Sequence, residues 1–222
     1  MRQIPLAIGF DTAASFEGLL PGDNEAALDH LRQLAPRSAP VYLWGPTGSG
    51  KTHLLGALAA AWQARGAGVG WFSPAIAAPW AFDESWALVV VDDCQGLDAA
   101  QQRAAFGLFL EATAAGLPVV TAGKLPPVDL PLRDDLRSRL GWGVVFALHP
   151  LAEPDARAVL RRVADQRGIP LSDEVMDYLL TRFARDLTHL TALLERLDVF
   201  SLSRKRGVTV PLLRQMLAET DP

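Results

Sequence analysis

The chain has 222 residues, of which half are hydrophobic and 21% are charged, and its formal net charge is −4. This composition is that of a globular protein, and it excludes a global positive field that would hold DNA. The single cysteine, Cys94, excludes an intrachain disulfide. No segment approaches the roughly 20 apolar residues of a membrane span, so we expect a soluble cytoplasmic protein without a membrane partner.

Strand-like and helix-like segments alternate over the first two thirds of the chain. Short apolar strands are predicted at residues 41–44, 69–72, 88–91, 118–121 and 144–148. Helices are predicted between them at residues 25–34, 51–65, 99–115 and 134–140. We expect Asp23 or Asn24 to cap the first of these helices. Strands that alternate with helices indicate βαβ units and therefore an α/β fold with a parallel sheet.

The pattern changes at Pro150, after which the sequence predicts helices without a confident strand. These helices are expected at about residues 153–167, 172–183, 186–203 and 210–219. We therefore predict an α/β domain over residues 10–149, a small all-helical domain over 150–222 and a hinge near Pro150. Residues 1–9 are assigned to a separate leader.

A glycine-rich segment follows the first predicted strand and precedes a helix. It matches the P-loop pattern in full, with Gly45, Pro46, Thr47, Gly48, Ser49, Gly50, Lys51 and Thr52. Glycines let backbone N–H groups converge on phosphate oxygens, and the following helix adds its positive dipole end. In such a loop Lys51 reaches the β and γ phosphates and the Thr52 hydroxyl binds Mg²⁺. The sequence therefore predicts a site for ADP or ATP with Mg²⁺.

Two carboxylates, Asp92 and Asp93, end the apolar strand at residues 88–91. In P-loop enzymes the first acid at this place holds Mg²⁺ through water, and the second acts on the attacking water. We assign Asp92 to the metal and Asp93 to the water. The alternative is a strand that simply ends in turn-forming aspartates.

These motifs, together with Leu140-Gly141-Trp142-Gly143, resemble those of the DnaA-related AAA+ family. The tail adds to the resemblance, since Thr209-Val210-Pro211 precedes a last helix similar to that of the DnaA lid. The resemblance covers about residues 10–220 and implies a P-loop AAA+ fold, with a RecA-like domain followed by a helical lid.

The segment from Ser138 to Gly143 is similar to the family box that contains an arginine finger. The resemblance implies that Arg139 is this finger and is offered in trans to a neighbouring ATP site. Arg137 is the competitor for the role. The structural alternative for Arg139 is an ion pair with Asp134 or Asp135.

The leader Gln3-Ile4-Pro5-Leu6-Ala7-Ile8 is similar to bacterial sliding-clamp-binding peptides. In those peptides a glutamine amide fills a polar site, while a leucine and a further apolar residue enter an apolar cleft. Gln3, Leu6 and Ile8 are therefore the candidate clamp contacts, and an ordinary apolar leader is the alternative.

The resemblance implies a regulatory function, because we expect no DNA-binding domain of the DnaA type after the lid. The implied branch of the family inactivates DnaA. Its members bind ADP and, with the DNA-loaded sliding clamp, stimulate hydrolysis of DnaA-bound ATP. The implied partners are DnaA and the clamp (the β subunit of DNA polymerase III), with DNA met only through the clamp. A homo-oligomer is compatible with AAA+ folds, which place their sites at subunit interfaces.

Two positions depart from the family pattern. Gly123 stands where the family usually has Asp after the fourth strand, which leaves Thr121 as the sensor candidate. Thr188 stands where the lid arginine is usual, and Arg185 is one helical turn away. Both losses favour weak or negligible intrinsic ATP hydrolysis and residence of ADP, whereas the pair Asp92-Asp93 argues for hydrolysis.

Two other functions stay open at this point. One is an ATP-hydrolysing loader or remodeller that acts on DNA replication proteins. The other is an adaptor in which the nucleotide only stabilises the fold.

Overall fold

The computed structural model describes residues 15–183 and 187–220. Five strands form one sheet: β1 (Val41–Trp44), β2 (Gly68–Phe72), β3 (Trp86–Val91), β4 (Val119–Gly123) and β5 (Val144–Ala147). Their order across the sheet is β2-β3-β4-β1-β5, and every neighbouring pair is parallel. The predicted α/β fold with a parallel sheet is confirmed.

The helices agree with the predicted segments to within about two residues at most ends, the usual uncertainty of helix boundaries. They are α1 (Glu25–Arg32), α2 (Lys51–Gln63), α3 (Ala99–Ala114), α4 (Asp134–Leu140), α5 (Glu153–Gln166), α6 (Asp173–Arg182), α7 (Leu187–Arg204) and α8 (Val210–Thr220). Within the part of the chain that the structure describes, no helix combines the length and apolarity needed to cross a bilayer.

The sheet is apolar on both faces because helices cover both. Successive residues of a strand point to opposite faces. Val41, Leu43, Val90 and Val120 pack with apolar residues of α1 and α2, whereas Tyr42, Val89 and Val91 pack with those of α3 and α4. The carboxyl ends of β1, β3 and β4 then lie at one edge, which is where parallel α/β sheets place their ligand sites.

Backbone contacts divide the chain into two compact units. One ends at His149, and the other comprises the helices from Pro150 onward, with which Thr47–Ser49 are grouped. The helical unit has a core of its own, built from α5 to α8 and including Leu160, Met176, Leu194 and Leu213.

The predicted side-chain cap of α1 is wrong. Residues 22–24 form a short 3₁₀ turn that leads directly into the helix, and Asn24 makes no capping hydrogen bond. Its side-chain amide instead bonds to the backbone of His149, the residue that follows β5 and Leu148. A distant backbone partner therefore replaces the local one that sequence spacing favours.

Candidate nucleotide site and arginine surface

The P-loop joins the end of β1 to the start of α2. Gly48 and Gly50 have φ angles of 81° and 85°, in the left-handed region that glycine adopts without a steric penalty. Gly50 is the residue that precedes α2, and among the described residues other than its chain neighbours no atom lies within 4 Å of the position that a Cβ would take there. Backbone conformation, and not crowding, is therefore what requires glycine at this place.

The loop ends on a lysine whose ammonium group turns back over it. Lys51 Nζ donates to the carbonyl oxygen of Gly45 at 2.7 Å and to that of Pro46 at 2.8 Å. Lys51 is only 9% exposed, and a buried cation is costly unless hydrogen bonds compensate it. The ammonium is thus held at the amino end of α2, where backbone dipoles and a cation together favour an anionic ligand.

Thr52 and Asp92 meet next to the lysine, although they are 40 residues apart. Thr52 Oγ1 donates to Asp92 Oδ2 at 2.6 Å, and the Asp93 N–H donates to Asp92 Oδ1 at 2.8 Å. Burial raises the pKa of the Asp92 carboxyl, and these two hydrogen bonds and the charge of Lys51 oppose that shift. A hydroxyl oxygen beside a carboxylate is a ligand set of the kind that Mg²⁺ takes, so the residues present fit this ion.

Asp93 is exposed and has a left-handed backbone, with φ 56° and ψ 43°. Its carboxylate accepts a hydrogen bond from the side-chain amide of Gln95. The other end of that amide accepts the Lys124 N–H at 2.8 Å. Gln95 therefore ties Asp93 to the residue that follows β4. Sequence reasoning missed Gln95, because no motif spacing marks it.

The sensor candidate Thr121 lies in the middle of β4 and is buried. Its hydroxyl donates to the Val41 carbonyl oxygen at 3.3 Å, so it is bonded to the backbone of the neighbouring strand.

Gly123 ends the same strand, and its missing side chain has a steric cause. A Cβ there would lie 2.2 Å from the hydroxyl oxygen of Tyr42. Tyr42 is fully buried, and its hydroxyl donates to the Leu125 carbonyl oxygen at 2.8 Å. Burial also raises the pKa of the Tyr42 phenol, which keeps it neutral. Tyr42 thus fills the space that a side chain at position 123 would take, a role that sequence reasoning missed.

Arg139 lies near the end of α4, with its guanidinium over the ring of Trp142 at 5.4 Å from the ring centroid. The nearby carboxylates are engaged elsewhere, since Asp134 pairs with Arg137 at 2.5 Å and Asp135 pairs with Arg133 at 2.6 Å. No carboxylate of residues 15–183 or 187–220 lies within 4.0 Å of the Arg139 guanidinium. The alternative ion pair of Arg139 with Asp134 or Asp135 is therefore not present there.

The other candidates belong to the lid and to the leader. Thr188 lies in the first turn of α7. Arg185 and the candidate clamp contacts, Gln3, Leu6 and Ile8, lie outside the described residues.

Comparison with known proteins gives one match within the helical unit and others over nearly the whole chain. The family model described as "Hda, lid domain" matches residues 153–217. An uncharacterized protein of Haemophilus influenzae is 34% identical over 230 residues, which cover 97% of this chain and 98% of that protein. Domain III of the replication initiation protein DnaA from Thermotoga maritima superposes with a TM-score of 0.76 at 21% identity, covering 93% of this chain and 96% of that one. The chain belongs to the Hda/DnaA-related AAA+ family.

Two further solved structures share the AAA+ fold of this family member. AMPPCP-bound DnaA from Aquifex aeolicus has a TM-score of 0.69 at 20% identity, over 86% of this chain and 66% of that one. The RuvB Holliday junction branch migration motor of Thermotoga maritima has a TM-score of 0.68 at 16% identity, over 95% of this chain and 73% of that one. At these identities the likeness establishes the fold, and the chemistry must be argued from the residues.

Proposed function

We propose that this protein is a nucleotide-bound regulator of chromosomal replication initiation, which stimulates hydrolysis of DnaA-bound ATP and so inactivates the initiator. The observation that carries the proposal is the state of Arg139. The arginine that the family resemblance assigns as the finger has a guanidinium that no carboxylate of residues 15–183 or 187–220 neutralises.

The first part of the proposal is an adenine nucleotide at the P-loop. Backbone N–H groups between Gly45 and Thr52 and the Lys51 ammonium would hold its phosphates, and Thr52 and Asp92 would hold Mg²⁺. Bound Mg²⁺ supplies neutralisation of phosphate charge. A DnaA relative of this fold binds AMPPCP, which supports an adenine nucleotide here.

The second part is that the protein's own hydrolysis is weak, which favours ADP as the resident nucleotide. Asp93, the residue assigned to the attacking water, has a carboxylate oxygen engaged by Gln95. The end of β4 offers no side chain at Gly123, because Tyr42 occupies that space. Both features remove groups that would otherwise act on the phosphate end of a bound nucleotide.

The third part is the action of Arg139 on the partner. A guanidinium brought to the γ-phosphate of ATP stabilises the charge that develops on the transferred group as its bond breaks. Arginine fingers supplied in trans raise hydrolysis rates by about 10³–10⁵-fold. Arg139 is half-buried at the end of a helix, so its position is set while its charge stays accessible.

The fourth part concerns targeting. Gln3, Leu6 and Ile8 are proposed to bind the sliding clamp of DNA polymerase III, so that the protein meets DNA through the clamp. Self-association through the AAA+ surfaces is part of the same proposal. Replacement of Gln3 and Leu6 by Ala should abolish clamp binding and leave nucleotide binding unchanged, and wild-type clamp affinity in that variant would refute the assignment.

The decisive experiment measures hydrolysis of labelled ATP bound to DnaA, after addition of the purified protein with ADP and clamp-loaded DNA. Wild type should accelerate hydrolysis, and Arg139→Ala should lose the acceleration by about 10³-fold or to background. Arg137→Ala is the matched control, because Arg137 is on the same helix and is already paired with Asp134. No acceleration by wild type, or equal loss in both variants, contradicts the proposal.

Nucleotide binding is tested separately by calorimetry with Mg²⁺ and ADP or ATP. Wild type should bind, and Lys51→Ala should lose binding, because the ammonium at the amino end of α2 is removed. Unchanged binding in the variant would refute the assignment of the loop.

One observation favours a second function, an ATP-driven loader or remodeller. The Thr52–Asp92 pair is formed and Asp93 follows it directly, so the acid pair expected of a working ATPase is in place. That function predicts substantial turnover by the protein without partners, lost in Asp93→Asn. The regulatory function predicts that wild type and Asp93→Asn, each without partners, both hydrolyse ATP at a rate close to background.

A further inference from the structure

We infer that Trp142 is a positioning residue for Arg139, one that holds the guanidinium over its indole ring and presents it to the partner's ATP. The inference rests on the proposed function of Arg139. It adds a residue that does not touch the nucleotide itself and acts only through the arginine.

The first observation is the exposure of Trp142. A tryptophan normally buries most of its large apolar surface, yet this one is 64% exposed. Its ring is the surface on which the Arg139 guanidinium rests, at 5.4 Å from the ring centroid. An arginine at this distance from an aromatic face is attracted by the negative charge of that face.

The second observation is the hydrogen bonding of the backbone that carries the indole. The Trp142 N–H donates to the Arg139 carbonyl oxygen at 3.2 Å, and the Gly141 N–H donates to that of Arg137 at 3.2 Å. Trp142 and Arg139 therefore belong to the hydrogen-bonded turn that ends α4, so one short piece of backbone carries both the ring and the guanidinium.

The third observation is that this turn is tied to the sheet. A Cβ at Gly143 would lie 1.9 Å from the Pro40 carbonyl oxygen, so only glycine permits this approach. The same oxygen accepts the N–H of Val144, the first residue of β5, at 2.8 Å. The backbone of the turn that carries the indole is thus tied to the sheet.

The fourth observation is electrostatic. Asp134 and Asp135 would neutralise a guanidinium, but they are paired with Arg137 and Arg133. A neutral ring orders the arginine without cancelling its charge. The positive charge therefore stays available for phosphate oxygens, and no ion pair with a carboxylate of the described residues has to be broken when the partner docks.

The test is a titration of ATP-bound DnaA, in the presence of ADP and clamp-loaded DNA, with full-length wild type and variants at position 142. Two quantities are measured: the maximal rate of stimulated hydrolysis and the protein concentration that gives half of it. Trp142→Phe keeps an aromatic face, whereas Trp142→Leu keeps apolar bulk without one. Val128→Ala is the control for general loss of exposed apolar surface, because Val128 is 75% exposed.

We expect Trp142→Leu to lower the maximal rate by about tenfold, with the half-saturating concentration unchanged within about twofold. Trp142→Phe should retain most of the maximal rate, and Val128→Ala should match wild type in it. Equal maximal rates in Trp142→Leu and wild type overturn the inference. An effect confined to the half-saturating concentration also overturns it, because Trp142 would then be a contact residue for the partner. Equal loss of maximal rate in Trp142→Phe and Trp142→Leu overturns it as well.

Arg139→Ala, measured in the same titration, distinguishes failure of the proposed function from failure of the positioning role of Trp142. If it retains the wild-type rate, the proposed function of Arg139 fails. If it loses the rate while Trp142→Leu does not, only the positioning role fails.

Discussion

Asn24 and His149 lie 125 residues apart and are joined by two hydrogen bonds through a single side chain. Asn24 Oδ1 accepts the His149 N–H at 2.7 Å, and Asn24 Nδ2 donates to the His149 carbonyl oxygen at 2.9 Å. One amide thus satisfies both backbone groups of the residue at which the α/β unit ends, and it joins that residue to the start of α1.

Removal of this amide should destabilise the α/β unit. Each net hydrogen bond contributes about 0.5–1.5 kcal/mol, so we expect Asn24→Ala to lower the free energy of unfolding by about 1–3 kcal/mol. Asn24→Asp should recover little, because a carboxylate accepts the N–H but repels the carbonyl oxygen. Urea titration followed by circular dichroism measures both, with the exposed neighbour Asp23→Ala as the control. Equal stability of Asn24→Ala and that control would contradict the prediction.

The buried carboxyl of Asp92 should make stability depend on pH. Because burial raises its folded-state pKa above the ordinary 3.8, the native state keeps a proton between these two values that the unfolded chain has lost. The free energy of unfolding therefore falls as pH rises through that interval, and the cost of the buried charge persists above it. We expect Asp92→Asn to stabilise the nucleotide-free protein near neutral pH, with a gain that shrinks in acid.

The same variant should gain less stability than wild type from Mg²⁺ and nucleotide. Asparagine lacks the negative charge that favours Mg²⁺, so the stabilisation by Mg²⁺ and ADP should be smaller in Asp92→Asn than in wild type. Urea titrations across pH, with and without Mg²⁺ and ADP, measure both effects. A variant that is less stable than wild type without ligand at neutral pH would show that the Thr52 and Asp93 hydrogen bonds outweigh burial.

Gly123 and Tyr42 should be energetically coupled. A methyl group at position 123 meets the tyrosine hydroxyl at 2.2 Å, and overpacking of this kind costs about 1–3 kcal/mol. Tyr42→Phe loses the bond to Leu125, at about 0.5–1.5 kcal/mol. We expect the double variant to be less destabilised than the sum of Gly123→Ala and Tyr42→Phe, because the phenylalanine removes the clashing atom. Additive losses in urea titrations would show that the two side chains do not compete for this space.

Cys94 should report on opening of the α/β unit. Its thiol is buried, and burial, together with the neighbouring Asp92 charge, raises its pKa, so little thiolate forms in the folded protein. We expect slow labelling by a disulfide reagent in buffer and fast labelling in urea. If labelling requires unfolding, ligand at a hundred times its Kd should slow it by about 100-fold.

Lys51→Ala serves as the control for that protection. It should be labelled at the same rate with and without nucleotide, because its phosphate site is lost. Rapid labelling of the folded wild type would show that Cys94 is accessible.

The sequence by itself determined the elements whose signals are local. The spacing of apolar residues along a segment predicts a strand or a helix from neighbouring residues alone. The five strands and the helices were therefore predicted nearly to their ends. The P-loop and the Asp92-Asp93 pair were found for the same reason, since the glycines, the lysine and the acids occupy fixed places along the chain.

The tertiary structure decided which side chains meet. Helical spacing permits Asp135 to pair with Arg139 four residues on, yet it pairs with Arg133, and the arginine goes to Trp142. Spacing also favours Asn24 as a helix cap, yet His149 takes its amide. When several partners would form hydrogen bonds or ion pairs of similar strength, a side chain pairs with the one that lies nearest in space. Which partner is nearest depends on the order of the strands in the sheet. For this reason the glycine-rich loop with its lysine was readable from the sequence, whereas the surroundings of Gly123 and Arg139 required the fold.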